Sequence, residues 1–332
     1  QPVTSVPSAN GDRAELLSGW RYRAVVWSVT LGAIGYVGFA LWSGRREVAN
    51  AVAQVGISGI GIALTLSLVN YGLRFIRWQS YLRALGHPVP WRPSLQIYVA
   101  GFALTTTPGK AGEALRGVLL KRWGMPYPKS LAAFLSERLS DLLAIVFLTL
   151  FGLSRYPSAL PLIAVGGVAS LTVLMVLANR RALESIERRV SGATRIQSIT
   201  RQLVQILLQA RRCHSPALLS ISTGLSLLAW ASEAWAFHLI LKWMGLEVSL
   251  SFAVFVYAAS MLAGALSFLP GGLGGSEVAM GGLLIWSGVA EAPAVAATIL
   301  IRITTLWFAV LLGCLFLSKE RKNSVLDRND RA

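Results

Sequence analysis

The strongest constraint on this chain is a series of apolar runs, each close to the length that carries a helix through a bilayer. Six of them, at 24–42, 51–76, 130–153, 160–177, 216–241 and 293–317, are of spanning length, because about 20 apolar residues are needed to cross ~30 Å of hydrocarbon. Composition agrees: 54% of the residues are hydrophobic and 14% charged, against about 25% charged in an ordinary soluble domain. The chain reads as an all-α integral membrane protein.

Two further apolar regions are broken in the middle. Thr107-Pro108-Gly109-Lys110-Ala111-Gly112-Glu113 follows a run at 94–107 and precedes one at 113–123. Leu269-Pro270-Gly271-Gly272-Leu273-Gly274-Gly275-Ser276-Glu277 joins 250–269 to 277–288 in the same way. Glu113 and Glu277 stand at the same offset as Arg138 and Arg302, and as Gly124 and Gly288, so the two regions read as copies of one unit. Short helical arms joined by broken backbone suggest re-entrant hairpins, which survive in a membrane only where protein or a wet cavity surrounds them. The expected architecture is about six full transmembrane helices plus two re-entrant helical hairpins related as an inverted repeat. Repeat 1 covers about 51–153 and repeat 2 about 216–317, inside a single transmembrane domain at 21–317. A disordered tail at 1–20 and a basic tail at 318–332 flank it.

The net charge of +16 bears on sidedness rather than on nucleic acid. The basic residues flank apolar spans instead of forming a soluble module, and Lys and Arg accumulate in cytoplasmic loops. With the N-terminus inside, the Arg-rich segment 179–214, Lys121, Arg122, Lys129 and the C-terminal tail all face the cytoplasm. Arg45, Arg46, Arg155 and Lys242 remain outside. Both termini are then cytoplasmic, the two hairpins enter from opposite sides, and the expected location is a bacterial inner membrane. Apolar residues at helical spacing in 179–214 suggest basic amphipathic helices on an anionic leaflet. No cleavable signal peptide is evident at 1–19.

Ionisable groups inside apolar spans persist for function or mutual pairing. The first unit offers Lys110, Glu113 and Arg116, then Glu137, Arg138 and Asp141; the second offers Glu277 and Arg302, with Glu233 in the preceding span. Two readings apply to Glu113/Arg138 and Glu277/Arg302: a buried ion pair that pins each hairpin to the helix after it, or contact with substrate or a coupling ion. Glu137 and Asp141 share a helical face and read as partners of Arg138 and Arg116. Lys110, on a Pro-Gly loop at a helix N-terminus, either meets an anionic headgroup or is a cation snorkelling to the interface. Pro108, Gly109, Gly112, Pro270, Gly271, Gly272 and Gly274 shape the loops. Arg74 and Arg77 end a span and read as cations snorkelling to the cytoplasmic border. Gly56, Gly59 and Gly61 make no nucleotide fingerprint and read as helix-packing positions. Cys213 and Cys314 read as small buried thiols, and three scattered histidines suggest no metal site. No catalytic constellation is visible, and neither metal nor cofactor is expected.

The paired motifs, Pro108-Gly109-Lys110-Ala111-Gly112-Glu113 and Pro270-Gly271-Gly272-Leu273-Gly274 with Glu277 and Arg302, resemble those of the lysylphosphatidylglycerol synthase transmembrane region family. This is the membrane part of bacterial multiple peptide resistance factors, and the resemblance covers roughly 51–317. It implies translocation or handling of a lipid rather than its aminoacylation, which in two-part members belongs to a separate soluble domain. A lipid flippase is therefore expected, acting on a membrane phospholipid or a polyprenyl- or hopanoid-type lipid. The alternative is an accessory protein that presents lipid-linked substrate to a glycosyltransferase or lipid-modifying enzyme.

Overall fold

The structure, a computed structural model, describes residues 32–36, 38, 45–106, 111–121, 123–152, 157–190, 194–267 and 269–329, with 45, 111–115, 158, 270 and 319–329 described by backbone alone. The regular structure among them is helical. Helix α1 (Arg45–Ala84) is followed by α2 (Trp91–Ala100), which tightens into a 3-10 turn at Gly101–Leu104. Then come α3 (Ala111–Lys121), α4 (Tyr127–Thr149), α5 (Leu160–Ala178), α6 (Arg180–Arg189) and α7 (Arg195–Arg211). The last part contains α8 (Pro216–Trp243), α9 (Leu250–Leu266), α10 (Gly275–Trp286), α11 (Glu291–Arg302) and α12 (Phe308–Asn329).

Four stretches, Arg46–Ala84, Leu160–Ala178, Pro216–Trp243 and Glu291–Ser318, are long and apolar enough to cross a membrane. They correspond to the runs at 51–76, 160–177, 216–241 and 293–317. The run at 130–153 is the 23-residue α4, which carries Glu137, Arg138 and Asp141 at its centre. Residues 32–36 and 38 of the run at 24–42 are helical, and the rest of that run lies outside the described residues. Helix α12 continues to Asn329, through most of the expected tail. Helices α3 and α10 have 11 and 12 residues; at about 1.5 Å per residue each reaches roughly half-way across a ~30 Å hydrocarbon layer.

Two apolar cores fill the bundle. One gathers the first half of α1 with α8, α9, α10 and α11 around Phe237, Phe255, Val256, Leu262, Leu284 and Ile301. The other gathers the second half of α1 with α2, α3, α4, α7 and α12 around Phe75, Trp78, Tyr81, Ile97, Leu119 and Leu317. Of the three glycines read as packing positions, Gly59 faces Trp243 of α8, whereas nothing lies close to Gly61. Gly56 instead breaks α1, with φ 68° and ψ 172°. Cys213 is buried in the second core, where burial pushes its thiol up to about 12.

The last span is not uniform. Residues Ile303–Trp307 form a π turn, in which the Phe308 N–H donates to the Ile303 carbonyl five residues back. Within the turn the Thr305 carbonyl also accepts from Tyr71 Oη of α1, at 2.5 Å. Further along, Gly313 of α12 sits so close to the 3-10 turn that a Cβ there would run into the backbone of Phe102 and Ala103.

The basic linker is helical, with Asn179 and Thr194 as side-chain caps. Its contacts differ from those of a helix pair resting only on lipid. Val204 and Ala210 are buried, and Ile206 and Leu207 pack on the second core. Ile196, Ile199 and Leu203 of α7 remain exposed.

Candidate functional site

The second Pro-Gly loop shows why its sequence takes this form. Gly271, Gly272 and Gly274 have φ of 63°, 69° and 85°, a region closed to most side chains. A Cβ on Gly264 of α9 would collide with Ser276 of α10, and one on Gly272 would approach the Ser276 hydroxyl to 2.9 Å. Small residues therefore let α9 and α10 close against each other around the loop. Glu277, the third residue of α10, reaches back so that its Oε2 accepts from the Gly274 N–H at 2.7 Å. This satisfies one of the open donors at the helix start.

Arg302 then locks the loop to α11. Its Nε donates to Glu277 Oε1 at 2.7 Å and its Nη2 to the Gly271 carbonyl at 2.9 Å. Arg302 is 4% exposed and Glu277 8%, so the pair is shielded from water, and Met261 Sδ of α9 lies 3.8 Å from Arg302 Nη1. On its other side the loop rests against the end of the first broken region: a Cβ on Gly271 would stand 3.5 Å from Thr106 Cγ2 and 3.6 Å from the Thr105 carbonyl. Pro108, Gly109 and Lys110 lie outside the described residues, and Gly112 and Glu113 are placed only as backbone in α3. The expected Glu113/Arg138 pair thus falls outside them as well.

Around the first unit the described side chains build a larger charge cluster. Arg116 Nη1 of α3 donates to Glu137 Oε2 of α4 at 2.9 Å. Arg138 Nη2 lies 3.2 Å from Asp141 Oδ2 along α4. Arg74 Nη2 and Arg77 Nη1 of α1 donate to Asp141 at 3.1 Å and 2.6 Å, and Arg77 Nη2 lies 3.8 Å from Glu137 Oε1. The snorkelling reading of Arg74 and Arg77 is therefore corrected. Arg77 is 0% exposed, because α1 continues past it to Ala84 and turns both arginines onto α4. Helix α8 closes the cluster, with Ser226 Oγ accepting from Arg77 Nη1 and Trp230 Nε1 donating to Asp141 Oδ1.

Among the described side chains, four guanidinium groups here meet two carboxylates. Donors are left over among the described residues: Arg74 Nε, Arg77 Nε, Arg116 Nε and Arg138 Nε are buried with no hydrogen-bond partner there, as is the Tyr98 hydroxyl. Arg116 is also caged by rings, 4.4 Å from the Tyr98 centroid, 5.2 Å from Trp78 and 5.8 Å from Phe102, contacts that favour a cation. Gly101 makes the room, since a Cβ there would overlap the Arg116 side chain. The helical stripe Tyr71, Arg74, Arg77, Trp78 and Tyr81 was the available signal for this wall of the site, because residues at that spacing share a face.

The two charged groups are joined through α8 and α9. Arg74 lies 5.5 Å from the Trp230 ring, Trp230 and Tyr257 are 6.5 Å apart, and Tyr257 Oη donates to Glu233 Oε2 at 2.6 Å. Tyr257 and Met261 share one face of α9, which leads back to Arg302. Every carboxylate named for the site in the described side chains is buried: Glu137, Asp141, Glu233 and Glu277.

The sequence profile of the lysylphosphatidylglycerol synthase TM region matches residues 25–313. A UPF0104 membrane protein of Methanothermobacter thermautotrophicus is 28% identical over 297 residues, covering 84% of this chain and 88% of that protein. One of Pyrococcus horikoshii is 22% identical, covering 91% and 98%. The glycosyltransferase AglD of Haloferax volcanii is 23% identical over 300 residues, covering 77% of this chain but 47% of that protein.

Proposed function

Starting from the fact that this chain belongs to the lysylphosphatidylglycerol synthase TM region family, we propose that it is a lipid transporter of the flippase type. It carries an anionic or glycosylated headgroup through the polar centre between two re-entrant hairpins, while the lipid tail stays in the bilayer. The two hairpins form an inverted repeat, a plan in which substrate sites lie near the membrane midplane at the repeat interface. The protein sits in the cytoplasmic membrane with both termini inside, and the Arg-rich linker rests its exposed apolar residues on the anionic leaflet.

One observation carries this reading: among the described side chains of α1, α3 and α4, the guanidinium groups of Arg74, Arg77, Arg116 and Arg138 share the two carboxylates of Glu137 and Asp141. Uncompensated buried cations cost several kcal/mol each, and an anionic guest relieves that cost. Lys110 and Arg116 meet the phosphate, Glu113 and Glu277 balance charge, and Arg138 and Arg302 hold the glutamates. The half-length helices α3 and α10 and the apposition of Gly271 to Thr105 and Thr106 support a shared centre. The test is movement of labelled anionic lipid in proteoliposomes. Glu113→Gln, Glu277→Gln and Arg138→Ala should each fold and slow it by about tenfold or more, a loss of ~1.4 kcal/mol or more in barrier stabilisation. Unchanged rates in all three variants would overturn the reading.

A second reading is favoured by the match to one half of AglD, a protein named as a glycosyltransferase. In it the chain presents a lipid-linked substrate to a separate lipid-modifying enzyme, with 179–214 as the docking surface. Lipid movement that appears only with a partner enzyme would support it over the first.

A further inference from the structure

The described carboxylates at the centre of the bundle fall into two kinds. Glu137, Asp141 and Glu277 each lie within 4.0 Å of an arginine, at 2.9, 2.6 and 2.7 Å for their nearest guanidinium. Glu233, midway along α8, has no such partner among the described residues. It is 5% exposed, and among the described residues it accepts from the hydroxyl of Tyr257, itself 1% exposed, at 2.6 Å. We propose that Glu233 is a proton-exchange site, alternating between carboxylate and neutral acid, and that its proton couples lipid movement to a pH gradient. The coupling half rests on the transport reading above; the exchange half does not.

The neighbours of Glu233 explain why both forms are accessible. A carboxylate fixed by a guanidinium holds its charge, because losing it would strand the arginine. Glu233 has only a neutral hydrogen-bond donor in contact, so taking up a proton strands nothing. The surrounding elements then set the balance. Helix α1 contributes Arg74 and Tyr71, α11 contributes Arg302, α4 contributes Asp141 and α9 contributes Tyr257. Charges of both signs therefore face Glu233. In the step itself one O–H bond forms on Glu233 with a proton taken from water and breaks when that proton is returned. Tyr257 keeps its own proton and donates to an oxygen of either form. The position matters as much as the chemistry. Glu233 sits between the arginine cluster of the first unit and the Glu277/Arg302 pair of the second, so its charge is felt by both. Binding of an anionic headgroup to either cluster removes positive potential and so favours proton uptake at Glu233.

The experiment uses the purified full chain in liposomes. Infrared difference spectra recorded across a pH titration should show a carboxylic-acid band that shifts in heavy water. Glu233→Gln should abolish this band and Tyr257→Phe should move it, while Glu184→Gln on the exposed face of α6 should leave it in place. Identical titrating bands in the native chain and in folded Glu233→Gln would overturn the proposal. Labelled-lipid movement with and without a pH gradient then tests coupling: the ratio of the two rates should exceed one in the native chain and fall to one in Glu233→Gln. A ratio of one in a native chain that moves lipid would overturn the coupling and leave transport standing. A Glu233-dependent band in a chain that moves no lipid would uphold the exchange site while the transport reading fell.

Discussion

Replacing Arg302 with Met removes one partner of a buried pair and leaves the other in place. In the native chain Glu277 Oε1 accepts from Arg302 Nε at 2.7 Å, Arg302 Nη2 donates to the Gly271 carbonyl at 2.9 Å, and both residues are less than a tenth exposed. In Arg302→Met the carboxylate keeps, among the described residues, the Gly274 N–H, and the loop carbonyl loses the Arg302 donor. Breaking a buried ion pair from one side costs about 3–5 kcal/mol. For a domain of a few hundred residues that corresponds to a fall of roughly 10 °C in the unfolding midpoint. Glu277→Gln strands the arginine instead and should cost a similar amount. The double variant strands neither charge, so it should be less damaged than the sum of the two, with a coupling energy of about 2–3 kcal/mol. The assay is thermal unfolding in detergent, followed by tryptophan fluorescence, on all four proteins of the cycle. A loss under about 1 kcal/mol for Arg302→Met, or strict additivity, would refute the argument that this pair holds the loop to α11.

Two further outcomes follow from local geometry. Gly313→Ala forces a methyl into the backbone of Phe102 and Ala103 and should cost about 1–3 kcal/mol or more, whereas Gly167→Ala, with nothing close to it, should be neutral or gain up to ~1 kcal/mol; equal midpoints for the two would contradict the tight seat of α12. His87 Nε2 lies 2.9 Å from Lys129 Nζ, and partial burial together with that cation holds the His87 ring below its usual range; since the unfolded chain then binds the proton more readily, stability should be lost as pH falls from about 6.5 towards the lowered value, and His87→Gln should flatten that slope in midpoints measured against pH.

Four of the spans and the second broken loop were legible because they depend on run length and on Pro and Gly, properties each segment carries alone. Pairings along one helix, or between a helix and its neighbour in sequence, were also within reach. Arg138 with Asp141 follows from helical spacing, and Arg116 with Glu137 joins consecutive helices. The roles of Arg74 and Arg77 were not legible from the end of an apolar run. Their meaning depends on which face of α1 meets α4, and that is set by packing distant in sequence. The polar and aromatic stripe from Tyr71 to Tyr81 held the clue, since residues at that spacing share one face of the helix. The packed side of the linker was hidden for a related reason. Basic amphipathic spacing describes a helix with one greasy side, and it cannot distinguish lipid from Ile206, Leu207 and Ala210 packed on protein. The π turn left no periodic trace at all.

That π turn fixes the phase of everything after it. An ordinary helix advances by about 100° per residue, so absorbing the extra residue of Ile303–Trp307 into a regular winding would swing α12 by roughly that angle. Gly313 would rotate away from Ala103, and Trp307 would leave Tyr36, whose ring centroid now lies 5.3 Å from it. A glycine seated against the first broken region therefore sets the winding of the helix that carries Arg302 beside the second.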